Sequence, residues 1–486
     1  MKILIASPEV VPFAKTGGLA DVAGALPKAL KNLGHDVRVI MPKYKMVDQK
    51  KFNLRLIKEG LEVPLGDYLE KVDIYEAVIP KTDVTVYFVA NDKYFGRDEL
   101  YQVKGKDYED NCERFTLFSK AGLLFIKEKG WQPHVLHAND WQTALMAAYT
   151  KTIYKDDIFL SKVATVYSIH NMGYQGVFPP EKILVTNLGW EYFRFDALEF
   201  YGKIALTKAG FVYADVINTV SEEYAKEIQT PEYGHGLDGL LKFRAEDLYG
   251  IINGLDYDLW NPETDEYIAR KYGPTTLSGK KDNKKALQKL NYLPEKDVPL
   301  IGMISRMADQ KGFDILSEII EDIMHLDCQL VILGVGEPKY EELYKSERIK
   351  YPEHLGLNIG FDAALAQLIY AGSDMFLMPS RYEPCGLGQL ISFKYGTIPI
   401  VRATGGLADT VKNFSPKTGE GDGFVFKEYS SEALLDAIER AIEVYKDKRV
   451  WGRLQQKVMR YDYSWEASAR KYVALYKKAM EKADLV

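Results

Sequence analysis

Short apolar runs alternate with amphipathic stretches along the chain, and this alternation limits the fold more than any other feature. Residues 2–6 (KILIA) are followed by a polar loop, 7–18, and then by Leu19, Ala23, Leu26, Leu30 and Leu33 at helical spacing. Gly34 stops that helix, and 37–41 reads as the next strand. A strand–helix–strand unit of this kind gives parallel strands with a right-handed crossover. Further strands are expected at 134–138, 163–168, 216–220 and 249–252. The stretch 256–285 is polar and carries Asn261-Pro262 and Gly273-Pro274, so the domain junction is placed there. A second series follows, with strands at 300–304, 329–333, 357–359, 374–378 and 397–401. The expected fold is α/β, with two Rossmann-like, doubly wound parallel-sheet domains facing across a cleft. The expected domains are 1–256 and 257–463, with a final helix at 464–486 returning to the first.

Bulk properties narrow the class. A chain of 486 residues, 47% hydrophobic, is too long for one ordinary core. Its net charge of −6, with no long basic block, argues against nucleic acid or an anionic membrane as partner. Cys112, Cys328 and Cys385 are too scattered for a disulfide framework and fit a reducing cytoplasm. The first apolar run is too short for a signal-peptide core, and no run reaches transmembrane length. The 33 tyrosines pair an apolar face with a polar tip, which suits both cores and carbohydrate surfaces.

The chemistry collects where strands end. Residues 374–378 lead into Pro379-Ser380-Arg381-Tyr382-Glu383-Pro384-Cys385-Gly386-Leu387-Gly388, which places a carboxylate, a thiol and a glycine turn at a strand's carboxyl end. Residues 300–304 lead into Ser305-Arg306, with Gln310-Lys311-Gly312 close behind. Lys15-Thr16-Gly17-Gly18-Leu19-Ala20-Asp21 and Thr404-Gly405-Gly406-Leu407-Ala408-Asp409 resemble each other, and each puts glycines at a helix start. Gly17, Gly18, Gly405 and Gly406 would free backbone donors there, and Lys15, Arg306 and Lys311 would add cations, a set suited to a diphosphate. Each cation also reads, taken singly, as an ordinary surface charge. Neither a GxGxxG fingerprint nor a Walker A sequence is present, and no Asp-x-Asp pair or His/carboxylate cluster suggests a metal. His134 and His137 lie three apart on a strand, on opposite faces, so they do not form a metal pair. Asp140 reads as a helix N-cap and His170 as either a hydrogen-bonded structural residue or a site residue. Residues 92–109, with Tyr94, Phe95, Arg97, Tyr101 and Tyr108, read as a mobile loop, either an acceptor contact or a solvated excursion.

These pieces, with His137-Ala138-Asn139-Asp140-Trp141, His170-Asn171, the 230–239 loop and Asn253-Gly254-Leu255-Asp256, resemble bacterial glycogen synthases and plant starch synthases nearly end to end. The resemblance implies the GT-B fold. It implies transfer of glucose from a nucleotide diphosphate sugar to the non-reducing 4-OH of an α-1,4-glucan, with retention. ADP-glucose is the implied donor, UDP-glucose the alternative, and glycogen the acceptor, with no further cofactor. By the same resemblance Lys15 lies near the donor's phosphates, Arg306 and Lys311 hold the diphosphate, and Thr404 and Gly405 add donors. His170 lies near the reacting centre, Asp140 and Asn253 orient the sugar, and Glu383 touches the glucosyl ring. Cys385, Gly386 and Leu387 line that pocket, Tyr382 lies against the nucleotide, and Gly17, Gly18 and Asp21 complete the binding set. Asn139 departs from the usual His, and Leu255 from Ile. A non-catalytic two-lobed sugar-binding protein is one rival reading, and a two-lobed phosphorylase or sugar-nucleotide epimerase is another. The residues do not speak to oligomeric state.

Overall fold

The computed structural model describes residues 1–485. It divides into two compact units: residues 1–254 with the chain from Trp465 onward, and Leu255–Ser464.

The first unit is built on a nine-stranded sheet. Its strands are β1 (Lys2–Ala6), β2 (Asp36–Pro42), β3 (Arg55–Leu65), β4 (Tyr68–Val78) and β5 (Thr85–Ala90). A small hairpin follows, β6 (Gln102–Val103) and β7 (Lys106–Asp107), and then β8 (Val135–Asn139) and β9 (Ala164–Ile169). Three short strands, β10 (Val177–Phe178), β11 (Glu199–Phe200) and β12 (Lys203–Ala205), form a separate antiparallel sheet. β13 (Val216–Thr219) and β14 (Leu248–Gly250) complete the large sheet, in the order β14-β13-β9-β8-β1-β2-β5-β4-β3. From β14 to β5 all pairs are parallel, and β1, β8 and β9 are buried along their length apart from Lys2. Strands covered on both faces read as continuous apolar runs, which is why they are legible.

The strand expectations contain neither β5, although it is parallel to β2 and buried from Val86 to Val89, nor the antiparallel edge that β4 and β3 add beyond it. In β3, Leu61, Val63 and Leu65 face inward while Glu62 and Pro64 stay exposed, the alternation of a sheet wetted on one side. Residues 92–109 also differ from the expected loop. Asp92–Phe95 is a short helix capped by Asn91, and Tyr94 and Phe95 are buried.

The helix Trp465–Lys482 packs on β8, β9 and β13 within this unit. Its Tyr476 hydroxyl lies 2.9 Å from His137 Nδ1, and Ser168 Oγ lies 2.7 Å from His137 Nε2. Gly254 leaves room for the helix, since a Cβ there would stand 2.5 Å from Trp465 Cα. Burial pushes the His137 imidazole down to about 3, with the charge of His170 adding to it. Between that value and about 6.5 the unfolded chain binds the extra proton, so burying His137 carries no titration cost above about 6.5 and a growing one as pH falls through that window. In urea unfolding from pH 7 to pH 4, His137→Gln is expected to flatten the acid-side loss of stability by up to about 1.4 kcal/mol per pH unit. An unchanged slope would assign the acid sensitivity elsewhere.

The second unit carries β15 (Leu300–Ile304), β16 (Gln329–Gly334), β17 (Leu355–Ile359), β18 (Met375–Met378), β19 (Ile398–Arg402) and β20 (Phe424–Phe426). They form one parallel sheet in the order β17-β16-β15-β18-β19-β20. β15 and β18 are neighbours although the chain between them runs out to β17, so the winding reverses there. In open α/β sheets that reversal is where ligands bind, beyond the carboxyl ends of the strands. Among the described residues no helix is long and apolar enough to cross a membrane.

Candidate active site

In the second unit three loops leave the carboxyl ends of β15, β18 and β19 and pack backbone to backbone. Gly312 is in the left-handed region at φ +80°, and a Cβ there would stand 2.2 Å from the Pro379 carbonyl. The Arg381 amide donates to the Gln310 carbonyl at 2.9 Å, tying the first loop to the second. The Gly406 amide donates to Glu383 O at 3.1 Å and to Pro384 O at 3.2 Å, tying the second to the third. A Cβ on Gly406 would lie 1.8 Å from the Cys385 carbonyl, so only glycine permits this approach.

The packing brings Lys311 and Glu383 together. Lys311 Nζ donates to Glu383 Oε2 at 2.5 Å, and Ser380 Oγ donates to the same oxygen at 3.1 Å. A cavity of about 170 Å³ opens beside the pair, lined by Ser305, Lys311, Tyr370, Ser380, Glu383 and Leu387. Arg306 is exposed, with Nη2 on Gln310 Oε1 at 2.8 Å. Cys385 is buried, and the Gln389 amide donates to the Cys385 and Gly386 carbonyls, which holds the left-handed Gly386 turn at φ +69°. Thr404 is buried at the start of the helix Gly405–Thr410, and Tyr382 is half-buried in the second loop. Val335 and Phe361 stand exposed just past the ends of β16 and β17.

In the first unit the polar residues again gather past strand ends, here β1, β8 and β9. Asp140 has a left-handed backbone at φ +57°, and its carboxylate accepts from the His170 amide at 2.7 Å. The helix that follows begins at Ala144 with Thr143 in the cap position, so Asp140 does not serve as its N-cap. Burial raises the Asp140 carboxyl to about 7, the His170 amide opposes this, and the charge of Glu9 adds to it. His170 Nε2 lies 3.0 Å from Asn139 Oδ1, while Asn139 Nδ2 donates to the Ala6 carbonyl. The amide orientation therefore makes Nε2 the proton-bearing nitrogen and leaves Nδ1 as an acceptor. Burial pushes this imidazole down to about 4, so it is neutral near pH 7. Asn253 is buried, and its Oδ1 has no partner.

Two expectations about free donors are corrected. The Gly17 amide donates to Glu9 Oε2 at 3.1 Å, and the Gly406 amide is taken by the loop carbonyls above. A carboxylate and two carbonyls satisfy these amides because a buried N–H left unpaired is costly. Lys15 is paired as well, 2.8 Å from Asp21, with both groups partly exposed. Sequence reasoning missed Glu9, Asn139 and Ser380 as supports. Their signal, a polar residue within a few positions of a strand's end, is shared by too many others to single them out. His134 accepts from the Lys2 amide at 3.0 Å and His137 turns inward, so both are structural. Among the described residues no group of His, Cys, Asp and Glu is arranged to hold a metal.

Known proteins match this arrangement end to end. Residues 2–243 match the family described as starch synthase catalytic domain, and residues 284–458 match glycosyl transferases group 1. The glycogen synthase of Thermosipho africanus is 51% identical over 99% of this chain and 100% of its own. That of Desulforudis audaxviator is 49% identical over 99% of this chain and 97% of its own. The catalytic domain of starch synthase IV from Arabidopsis thaliana, solved with ADP and acarbose, superposes with a TM-score of 0.88 at 34% identity, covering 99% of each chain.

Proposed function

From the premise that the chain belongs to the glycogen and starch synthase family, enzymes of the GT-B fold that build glucan, we propose that it transfers glucose from ADP-glucose to the non-reducing 4-OH of an α-1,4-glucan with retention. The observation that carries this reading is the Lys311–Glu383 pair at 2.5 Å beside the cavity where the sheet's winding reverses. ADP as the donor's nucleotide is supported by the ADP bound to the starch synthase IV relative. The reading sets the enzyme in the cytoplasm, in keeping with three cysteines that are buried and unbridged.

The proposed roles follow from chemistry. The donor's diphosphate gains charge as the glucosyl bond breaks. Arg306 and Lys311 take up that charge, the guanidinium through parallel bonds and the ammonium as a point charge. Thr404 and Gly405 border the same phosphates, and Tyr382 and the exposed Phe361 offer faces for the nucleoside. Glu383, held by Lys311 and Ser380, orients the sugar and favours positive charge at its ring oxygen. Cys385, Gly386 and Leu387 shape the wall around that sugar. In the first unit, neutral His170 accepts from a sugar hydroxyl through Nδ1, and Asp140 and Asn253 accept from others. Lys15, set by Asp21 and the Gly17-Gly18 turn, adds a cation for the phosphates. The acceptor 4-OH attacks on the face from which the phosphate leaves, and the phosphate takes its proton. Preorganised charge of this kind is often the largest catalytic contribution.

The deciding experiment incubates the protein with labelled ADP-glucose or UDP-glucose, with and without glycogen. Glycogen-dependent incorporation from ADP-glucose, released by an α-1,4-specific hydrolase, is the expected result. Label retained on protein with no transfer would mark a binding protein instead. Arg306→Ala is expected to raise the donor KM by about tenfold or more, since a charged hydrogen bond contributes roughly 1.5–3 kcal/mol. Its thermal midpoint should stay within a few degrees of the parent because the side chain is exposed. An unchanged donor KM would remove Arg306 from the site.

A further inference from the structure

Glu9 is buried in the loop after β1, and its carboxylate is where two segments of the first unit meet. Oε2 accepts from the Thr16 and Gly17 amides, the latter at 3.1 Å. Oε1 accepts from Thr16 Oγ1 at 2.6 Å and from the Tyr101 hydroxyl at 2.7 Å. Tyr101 is itself anchored, because its carbonyl accepts from Asn111 Nδ2 at 2.9 Å. The four groups facing Glu9 all donate, which matches a carboxylate that only accepts. An amide in its place would turn its NH2 toward donors on one side or the other.

The turn that resembles a phosphate cradle thus already holds an anion of the protein's own. The Thr16 and Gly17 amides fix the turn's shape, and Lys15, one residue before Thr16, projects from it partly exposed and ion-paired with Asp21. We infer that Glu9 is a positioning residue for the transfer reaction: it locks the Lys15–Gly18 turn to the segment bearing Tyr101 and so sets where the Lys15 ammonium is presented. This rests on the proposed role of Lys15 at the donor's phosphates. A displacement of about 1 Å in such a group can cost on the order of 100-fold in rate.

The test is a double-mutant cycle on the full chain, with kcat and KM for ADP-glucose measured in the presence of glycogen. Glu9→Gln is expected to lower kcat/KM for the donor by about 10- to 100-fold, and Lys15→Ala by a similar or larger factor. The double variant should be no worse than Lys15→Ala alone to within about threefold, because misplacing an absent ammonium has no effect. Losses that multiply in the double variant, or parental activity in Glu9→Gln, would overturn the inference. Parental activity in Lys15→Ala would instead sink the reading of Lys15 on which it stands. Should Glu9→Gln fail to fold, Tyr101→Phe, which removes one of the four donors, carries the same cycle. Its smaller loss should vanish in the Lys15→Ala background, and a loss that persists there counts against Glu9 acting through Lys15.

Discussion

Glu383→Gln is expected to fold and to lose most turnover, with kcat lowered about 100-fold or more and the donor KM changed far less. The amide copies the carboxylate's shape, so the loops of the second unit keep their packing. The charge that neutralises Lys311 at 2.5 Å and would meet the positive glucosyl centre is gone. Removing a single preorganised group that acts on transition-state charge typically costs about 10² to 10³ in rate. A fall in kcat with little change in KM is the signature of an interaction made mainly in the transition state. Initial rates with ADP-glucose and glycogen, beside a thermal melt, check both halves. Near-parental turnover would discard Glu383 from the reaction. If Glu383 were instead a covalent nucleophile, Glu383→Ala would be rescued by azide as a glycosyl azide of inverted configuration; the same-face reading expects no such product.

Gly406→Ala should be the most damaging single methyl in the second unit. The added Cβ would sit 1.8 Å from the Cys385 carbonyl, with the Cys385 Cα only 2.7 Å away. The neighbour is backbone, so no rotamer change relieves the overlap. Moving it pulls the Gly406 amide off the Glu383 and Pro384 carbonyls and shifts the loop that aims the Glu383 side chain. Overpacking of this kind costs about 1–3 kcal/mol or more, and a misaimed carboxylate adds a catalytic loss to the loss of stability. We expect a lower denaturant midpoint and at least a 100-fold fall in kcat/KM. Gly17→Ala is the control, since a Cβ on Gly17 meets nothing within 4 Å. Equal stability losses in the two variants would refute the steric account.

What could be read from the residues follows from how each element is buried. β1, β8, β9, β15 and β16 are covered on both faces, so apolar runs mark them even in a single sequence. The hairpin β3–β4 went unread because one face is wet and its pairing has register shifts near Lys58, which blur the alternation. In the second unit the 379–388 and 305–312 loops stood out through glycines and charges close to strand ends, and the structure brings Glu383 and Lys311 into contact. The sequence could not show that Gly17 and Gly406 amides are spent inside the protein. A glycine turn that holds an internal carboxylate looks the same, letter by letter, as one that holds a phosphate. Glu9 lies seven residues before Thr16 and Tyr101 ninety-two after Glu9, distances that only the folded chain closes.

The return of the last helix to β8, β9 and β13 has a consequence for biogenesis. The unit synthesised first cannot finish its core until the last stretch leaves the ribosome, because until then His137 lacks Tyr476 and Asn218 lacks Tyr472. The unit synthesised second needs nothing beyond Ser464 and can close earlier. The order of completion is thus the reverse of the order of translation, and until the helix arrives the face of the first sheet that it covers stays open to water.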